Sequence, residues 1–318
     1  LDHDETAPVD AMIRALEKRS LAPVPIFGWP LSKAEPFFTR GGKTAVELMM
    51  MVDAVMPGPE NGQIFEKYGL RAMNLMTTAA TEDEWRKAES GLPPGRLPIQ
   101  VGNPEHSGVS EPILIAATAP KSEGGKPVPV QAQVELAASR AARWVVLRNK
   151  PNQEKKLALI YFNNPPGKAT LGASYLDLIP SLRNVVERLA KENYQTGGQL
   201  PVAGRLKMLL MLSGRNVGEY APGELDALLN EGHAALLPVT RYEQWFAELP
   251  LEFQQSVNRT WGPPRNSKLM TVHSQGKSYF VMAGVRLGNL WLAPQPLRAE
   301  LSEADAKSHD KTTPPPHS

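Results

Sequence analysis

Residues 157–194 read LALIYFNNPPGKATLGASYLDLIPSLRNVVERLAKENY. An apolar run, Leu157–Phe162, enters a turn-rich stretch, Asn163–Ala173, and apolar residues then recur at Leu178, Leu182, Val185, Val186 and Leu189. Steps of three and four residues put those side chains on one face of a helix. A strand, a loop and a helix in that order form the front half of a βα unit, and such units in series build a parallel sheet covered by helices. The layout also resembles a nucleotide-binding turn. A phosphate cradle of the P-loop type needs G-x-x-x-x-G-K-[ST], so that backbone N–H groups reach the phosphates and a hydroxyl holds magnesium. Only Gly167 and Lys168 match, with Ala169 where the hydroxyl belongs. Pro165 and Pro166 remove two more donors, and no G-x-G-x-x-G pattern is present. The stretch therefore predicts no ATP site. It reads as a rigid βα turn, or as a loop facing another ligand at the carboxyl edge of a parallel sheet.

The same alternation extends outward. Upstream, 10–20 is spaced as a helix, 22–28 reads as a strand, 44–58 as a helical start and an apolar run ending at Pro57-Gly58, and 70–77 as a buried strand. Thr81 is a plausible N-cap for a helix over 81–90, with Gly91 as its stop. Residues 118–131 are rich in Pro, Gly and Lys and read as a loop, and 134–150 as a connecting helix. Downstream, 223–232 and 241–249 read as helices, and 278–284 and 287–295 as strands. The expected fold class is α/β: consecutive parallel-sheet, Rossmann-like units with additional helices. The expected domains are 1–117, an α/β domain; 118–155, loop and connecting helix; and 156–318, a second α/β domain.

A chain of 318 residues suits two domains or one large one. A formal net charge of +2 argues against a nucleic-acid grip over the whole surface. With no cysteine there is no disulfide, thiolate metal site or cysteine nucleophile. No apolar run reaches the roughly eighteen residues of a membrane span. The start at Leu1 and the end at HDKTTPPPHS lead to the expectation of a piece cut from a longer chain.

Candidate chemistry is sparse. Among His3, His106, His233, His273, His309 and His317 no pair stands at i, i+4 on a helix, as a zincin site requires. His309-Asp310 and His317 flank a Pro-rich turn. They read either as borderline-metal chemistry, suited to cobalt or zinc, or as a solvated tail. Residues 212–232 are the densest polar stretch. Arg215, followed by Asn216, has the planar fork that clamps a carboxylate. The alternative is a joint between helices, with Pro222 and Glu224 as ordinary first-turn residues. Trp261, beside Gly262 and two prolines, reads as a core plug or as an apolar wall for a flat ligand.

Taken in order, NNPPGK, LGASYLDLIPSL, LAKENY, GRNVGEYAPGELD, LLPVTRYEQWFAELP, WGPP and GNLWLAPQPLR resemble the CobN family. These are the large subunits of cobaltochelatase, similar to the H subunit of magnesium chelatase. The N-terminal part agrees more weakly, through YGLRAMNLM and the turn Pro104-Glu105-His106-Ser107-Gly108. One departure is Ala299-Glu300, where the family has glycine and then an aromatic residue. The resemblance implies metal insertion into a tetrapyrrole. The substrate metal is cobalt, the macrocycle is hydrogenobyrinic acid a,c-diamide, and ATP-Mg is hydrolysed on AAA+ partner subunits, not on this chain. A cytoplasmic location follows, or a periplasmic or inner-membrane-associated one for an uptake-type relative; some CobN-like proteins resemble haem dechelatases or occur with metal-uptake systems, and a non-catalytic tetrapyrrole-binding module is a further alternative. Lys168, Arg215, Asn216 and Arg286 become candidate substrate-binding groups, His309 and His317 candidate bases or transient ligands, and the metal ligands stay unassigned.

Overall fold

The computed structural model describes residues 5–28, 30–53, 59–162, 176–198, 200–296 and 313–317. The chain is a mixed α/β protein that divides into two compact units, Leu1–Lys150 and Pro151–Ser318.

The first unit runs α1 (Ala7–Glu17), α2 (Leu31–Phe38), a ribbon of β1 (Thr39–Arg40) and β2 (Lys43–Thr44), β3 (Met49–Val52), α3 (Pro59–Tyr68), β4 (Ala72–Thr77) and α4 (Glu82–Lys87). A π-helical turn at Pro98–Gly102, α5 (Asn103–His106), β5 (Val109–Thr118), β6 (Pro127–Pro129) and α6 (Gln131–Asn149) complete it. Its sheet has the order β3-β4-β5-β6, with the first three strands parallel and β6 antiparallel. Side-chain alternation along β4 divides the core. Met73 and Leu75 pack with Ala11, Met12, Ala15 and Leu16 of α1 and with Val134, Ala137, Ala138 and Ala141 of α6. Ala72 packs on the other side with Phe38, Ile64 and Phe65. The alanine stripe lets α6 approach closely. The helix expected to connect domains therefore completes this unit's own core.

In a regular strand Val109 and Ile113, four apart, would share a face. They lie in different core clusters, with Ala72 and Leu75 respectively. The ladder pairs Met73 with Ser110 and Leu75 with Ile113, so Glu111 and Pro112 together oppose Asn74. This is a β-bulge, and Glu111 takes the left-handed φ of 57° that it needs.

Two expected elements differ here. Residues 22–28 form no strand, because Pro23 and Pro25 lack the N–H a ladder requires. Residues 44–48 form no helix, and the methionines that follow make β3, which is held by parallel pairing with β4. Such an apolar run is ambiguous until its partner is known. Thr81 does cap α4, through a capping box with Glu84, but α4 ends at Lys87, before Gly91.

The second unit runs β7 (Leu157–Tyr161), α7 (Leu178–Lys191), α8 (Ala203–Ser213), α9 (Glu224–Asn230), β8 (Ala234–Pro238), α10 (Val239–Ala247) and α11 (Leu251–Trp261). It continues with β9 (Thr271–Ser274), β10 (Lys277–Ala283), β11 (Val285–Leu287) and β12 (Leu290–Pro294). The unit is α/β as expected, and its sheets among the described residues are mixed and antiparallel rather than wholly parallel. β7 pairs parallel with β12, β11 pairs antiparallel with β12, and β8-β10-β9 make a separate antiparallel sheet. Leu178, Leu182 and Val186 of α7 bury against α8 and the β11-β12-β7 sheet, while Val185 is exposed. Gly197 and Gly288 fix a close crossing. Both have positive φ, and a Cβ on Gly288 would lie 2.6 Å from the Gly197 nitrogen.

Candidate functional site

Open α/β sheets usually bind ligands at the carboxyl ends of their parallel strands. In the first unit Asp53 sits there, just past β3. Its carboxylate accepts the backbone N–H of Thr77 at 2.8 Å and the Thr77 hydroxyl at 2.7 Å, which ties the ends of β3 and β4. Gln100, in the π-helical turn, donates to the Thr77 carbonyl at 3.0 Å, and its own carbonyl accepts the Asn74 Nδ2 at 2.6 Å. Asn74 Oδ1 has no partner, and neither do the two amide atoms of Asn61, a residue with no exposed surface. Asn61 lies one helical turn before Ile64 and Phe65 on α3, and Asn74 two residues beyond Ala72 on β4. The set offers hydrogen bonds from amides and hydroxyls. Its one carboxylate already holds two donors. Reading the sequence for motifs passes over it; the available signal is Asn74 inside the otherwise apolar AMNLMT.

At the opposite edge, the bulged Glu111 accepts from Arg71 at 2.8 Å, Arg140 at 2.7 Å and Trp144 Nε1 at 2.7 Å, while Arg71 stacks 3.4 Å over the Trp144 ring. Burial pushes the Glu111 carboxyl up, but the hydrogen bonds from Arg140, Arg71 and Trp144 outweigh it and hold it below the usual carboxylate range.

The residues singled out in the second unit are dispersed. Lys168 and His309 lie outside the described residues. Arg215 Nη1 donates to Glu224 Oε2 at 3.0 Å, and the same oxygen accepts the Ala221 N–H at 2.8 Å. Asn216 is buried and forms a capping box with Glu219 over the 3₁₀ turn Val217–Glu219. Tyr220 donates to the Leu212 carbonyl, and burial pushes its phenol up to about 12. The stretch 212–232 is thus a tightly tied joint, in which Glu224 holds one nitrogen of the Arg215 guanidinium. Arg286 is exposed on β11, beside Trp291 of β12, and its N–H donates to His233 Nδ1 at 3.2 Å. Burial pushes the His233 imidazole down, and Glu231 only partly opposes this.

His317 has no exposed surface. Its Nε2 faces the Gly262 carbonyl at 3.0 Å and Asn258 Oδ1 at 3.2 Å, so Nε2 carries the hydrogen and Nδ1 accepts the Tyr242 hydroxyl at 3.0 Å. Burial pushes the ring's proton affinity down. With both nitrogens engaged, His317 in this arrangement has no free lone pair for a metal. Trp261, the other aromatic singled out, donates to the Pro314 carbonyl at 2.8 Å. Among the described residues no three His, Asp or Glu converge as metal ligands, and no helix is long and apolar enough to cross a membrane.

The family model described as CobN/Magnesium Chelatase matches residues 1–318. The chloroplastic magnesium-chelatase subunit ChlH of Oryza sativa subsp. indica is 30% identical over 217 residues, covering 68% of this chain and 14% of the relative. The aerobic cobaltochelatase subunit CobN of Pseudomonas aeruginosa is 29% identical over 241 residues, covering 73% of this chain and 18% of the relative. Among solved structures, the catalytic subunit of cobaltochelatase from Mycobacterium tuberculosis shares the fold. It has a TM-score of 0.71 and 24% identity, over 98% of this chain and 26% of that one. The chain spans about a quarter or less of the length of these proteins. It belongs to the CobN/magnesium chelatase family.

Proposed function

We propose that this chain is part of the large, tetrapyrrole-binding subunit of an ATP-dependent chelatase that inserts cobalt into hydrogenobyrinic acid a,c-diamide in cobalamin biosynthesis. The observation that carries this reading is the family match over all 318 residues. In this reading AAA+ partner subunits hydrolyse ATP-Mg, and the missing Gly-rich phosphate cradle supports that division of labour. Lys168, Arg215 and Arg286 meet the peripheral carboxylates of the macrocycle, and Asn216 holds the joint that carries Arg215. His309 acts as base or transient ligand. His317 joins it only after leaving its Tyr242–Gly262 bonds. Similar identity to a magnesium-chelatase subunit supports a second reading, in which the metal is magnesium and the macrocycle a porphyrin.

Exposed charge contacts contribute about 1 kcal/mol or less each, and ordering a ligand costs several kcal/mol. Residues 1–318 alone are therefore expected to bind a macrocycle weakly and to leave it unmetallated. The test is an absorbance titration with metal-free corrinoid and with protoporphyrin, each with cobalt or magnesium, ATP and AAA+ partners. Saturable binding without metallation is the expected outcome, and preference for one macrocycle separates the two readings. No spectral change with either macrocycle would remove the tetrapyrrole assignment, and turnover would place the essential chemistry within this stretch.

A further inference from the structure

We propose that the outer face of the β11-β12-β7 sheet is a platform on which a flat macrocycle stacks against Trp291, with one of its rim carboxylates on Arg286. The proposal rests on the tetrapyrrole reading above and names the surface of this chain that serves it.

The sheet has two unlike faces. Val285, Leu287, Leu290, Leu292 and Tyr161 turn inward, to the core shared with α7 and α8. Side chains alternate along a strand, so the residues between them turn outward. The ladder sets these in two rows. In one, Arg286 of β11 opposes Trp291 of β12, which opposes Ala158 of β7. In the next, Ala293 opposes Ile160, and Gly284 lies on the β11 side, just before Val285. Arg286 and Ala158 are exposed, and Ile160 keeps 55% of its surface accessible. Across three strands each row spans about 10 Å.

The indole sets this face apart. Side chains of a strand usually stand roughly perpendicular to the sheet. A Cβ on Gly284 would lie 2.5 Å from both Cε2 and Nε1 of Trp291 and 2.8 Å from the Leu292 carbonyl oxygen. The ring therefore leans across the sheet onto Gly284, which is buried beneath it. A larger residue at 284 would lift the ring. With Ala158 and Ala293 as its neighbours on β7 and β12, the indole lies among small side chains and leaves the face low and flat. The charge stands at one border, because Arg286 is on β11, the edge strand of this sheet opposite β7. A flat apolar ring rimmed by carboxylates matches that layout. Its plane stacks on the indole and over Ile160, and a rim carboxylate meets the guanidinium fork.

The test titrates residues 1–318 with metal-free deuteroporphyrin, a dicarboxylate, and with its dimethyl ester, which has no free carboxylate, following the Soret band. Trp291→Leu should weaken binding of both probes about tenfold. Arg286→Gln should weaken deuteroporphyrin about fivefold and leave the ester unchanged. Ile160→Glu puts a like charge at an exposed position and should weaken deuteroporphyrin more than the ester. Far-ultraviolet circular dichroism should stay constant in all three; if Trp291→Leu loses its fold, the two surface substitutions still decide. Wild-type binding that no substitution weakens would overturn the platform, leave the tetrapyrrole reading standing and give the face to another occupant, such as a protein segment. Equal losses of both probes in Arg286→Gln would overturn the carboxylate pairing. No binding of either probe by the wild type would remove the tetrapyrrole reading and the platform with it.

Discussion

The two units treat their buried polar groups differently. Among the described residues, every buried side-chain nitrogen or oxygen without a partner lies in the first unit: both amide atoms of Asn61, Arg71 Nε and Asn74 Oδ1. In the second unit, His317, Asn216, Ser213 and Ser267 are also buried, and each is bonded to a backbone or side-chain group. The cause is local. The second unit's polar residues sit at helix ends and joints, where backbone carbonyls and N–H groups are free to bond. Asn61 sits in the first turn of α3 and Asn74 on β4 opposite the Glu111–Pro112 bulge, and among the described residues the Asn61 amide and Asn74 Oδ1 meet no such group. A buried polar group left unmade costs about 1–3 kcal/mol. The first unit thus carries unused hydrogen-bonding capacity inside a parallel sheet. The second uses its own to hold an irregular fold together.

Substitutions can break this comparison. The largest effect is expected where no polar group is involved. Leu292 is fully buried on β12, between α8 and β7, and Leu292→Ala should destabilise the protein by about 3 kcal/mol in urea unfolding. A loss under about 1 kcal/mol would mean that polar ties, not the β12 core, dominate the second unit.

Glu111→Gln comes next. It leaves Arg71 and Arg140 without their shared carboxylate and should cost about 2 kcal/mol at pH 7. The Glu111 carboxyl is held low in the folded state. Its contribution is therefore fully present above the ordinary glutamate value and is lost as pH falls through the lowered one. The difference between wild type and variant, followed by denaturation across pH 7 to 3, should shrink only at the acid end. A difference that does not depend on pH would show that the bulge geometry, not the charge, carries the cost.

The smallest effect carries the opposite sign. Asn61→Leu replaces an unpartnered amide by a side chain of similar size and should raise stability by about 1 kcal/mol. Destabilisation by a similar amount would show that Asn61 is bonded in solution and that the two units do not differ in this respect.

Some of the fold was legible in short windows. The 3.6-residue period at 178–189 and the apolar run 70–77 gave α7 and β4, and Thr81 gave the cap of α4. β5 was not legible, because Glu111-Pro112 interrupts the alternation and only the bulge restores it. The apolar run at 49–52 had no assigned type in the sequence, because three methionines fit a buried helix or a buried strand equally well. Of the candidate residues, Arg215 and Asn216 had two readings in the sequence. The structure engages both in local ties, with Glu224 and Glu219.

The sequence by itself determined the class of protein and its relatives. Helical periods, turn residues and ordered motifs are local, and they survive without knowledge of what they pack against. Tertiary structure alone decided which strands pair, and so split the second unit's strands into a mixed and an antiparallel sheet. It also decided the state of each polar side chain. A histidine near the end of a Pro-rich tail reads as solvated or ligating in the sequence. Whether its nitrogens are free depends on Tyr242 and Gly262, which lie 75 and 55 residues away along the chain. Hydrogen-bond satisfaction is a property of neighbours in space, and no local pattern encodes it.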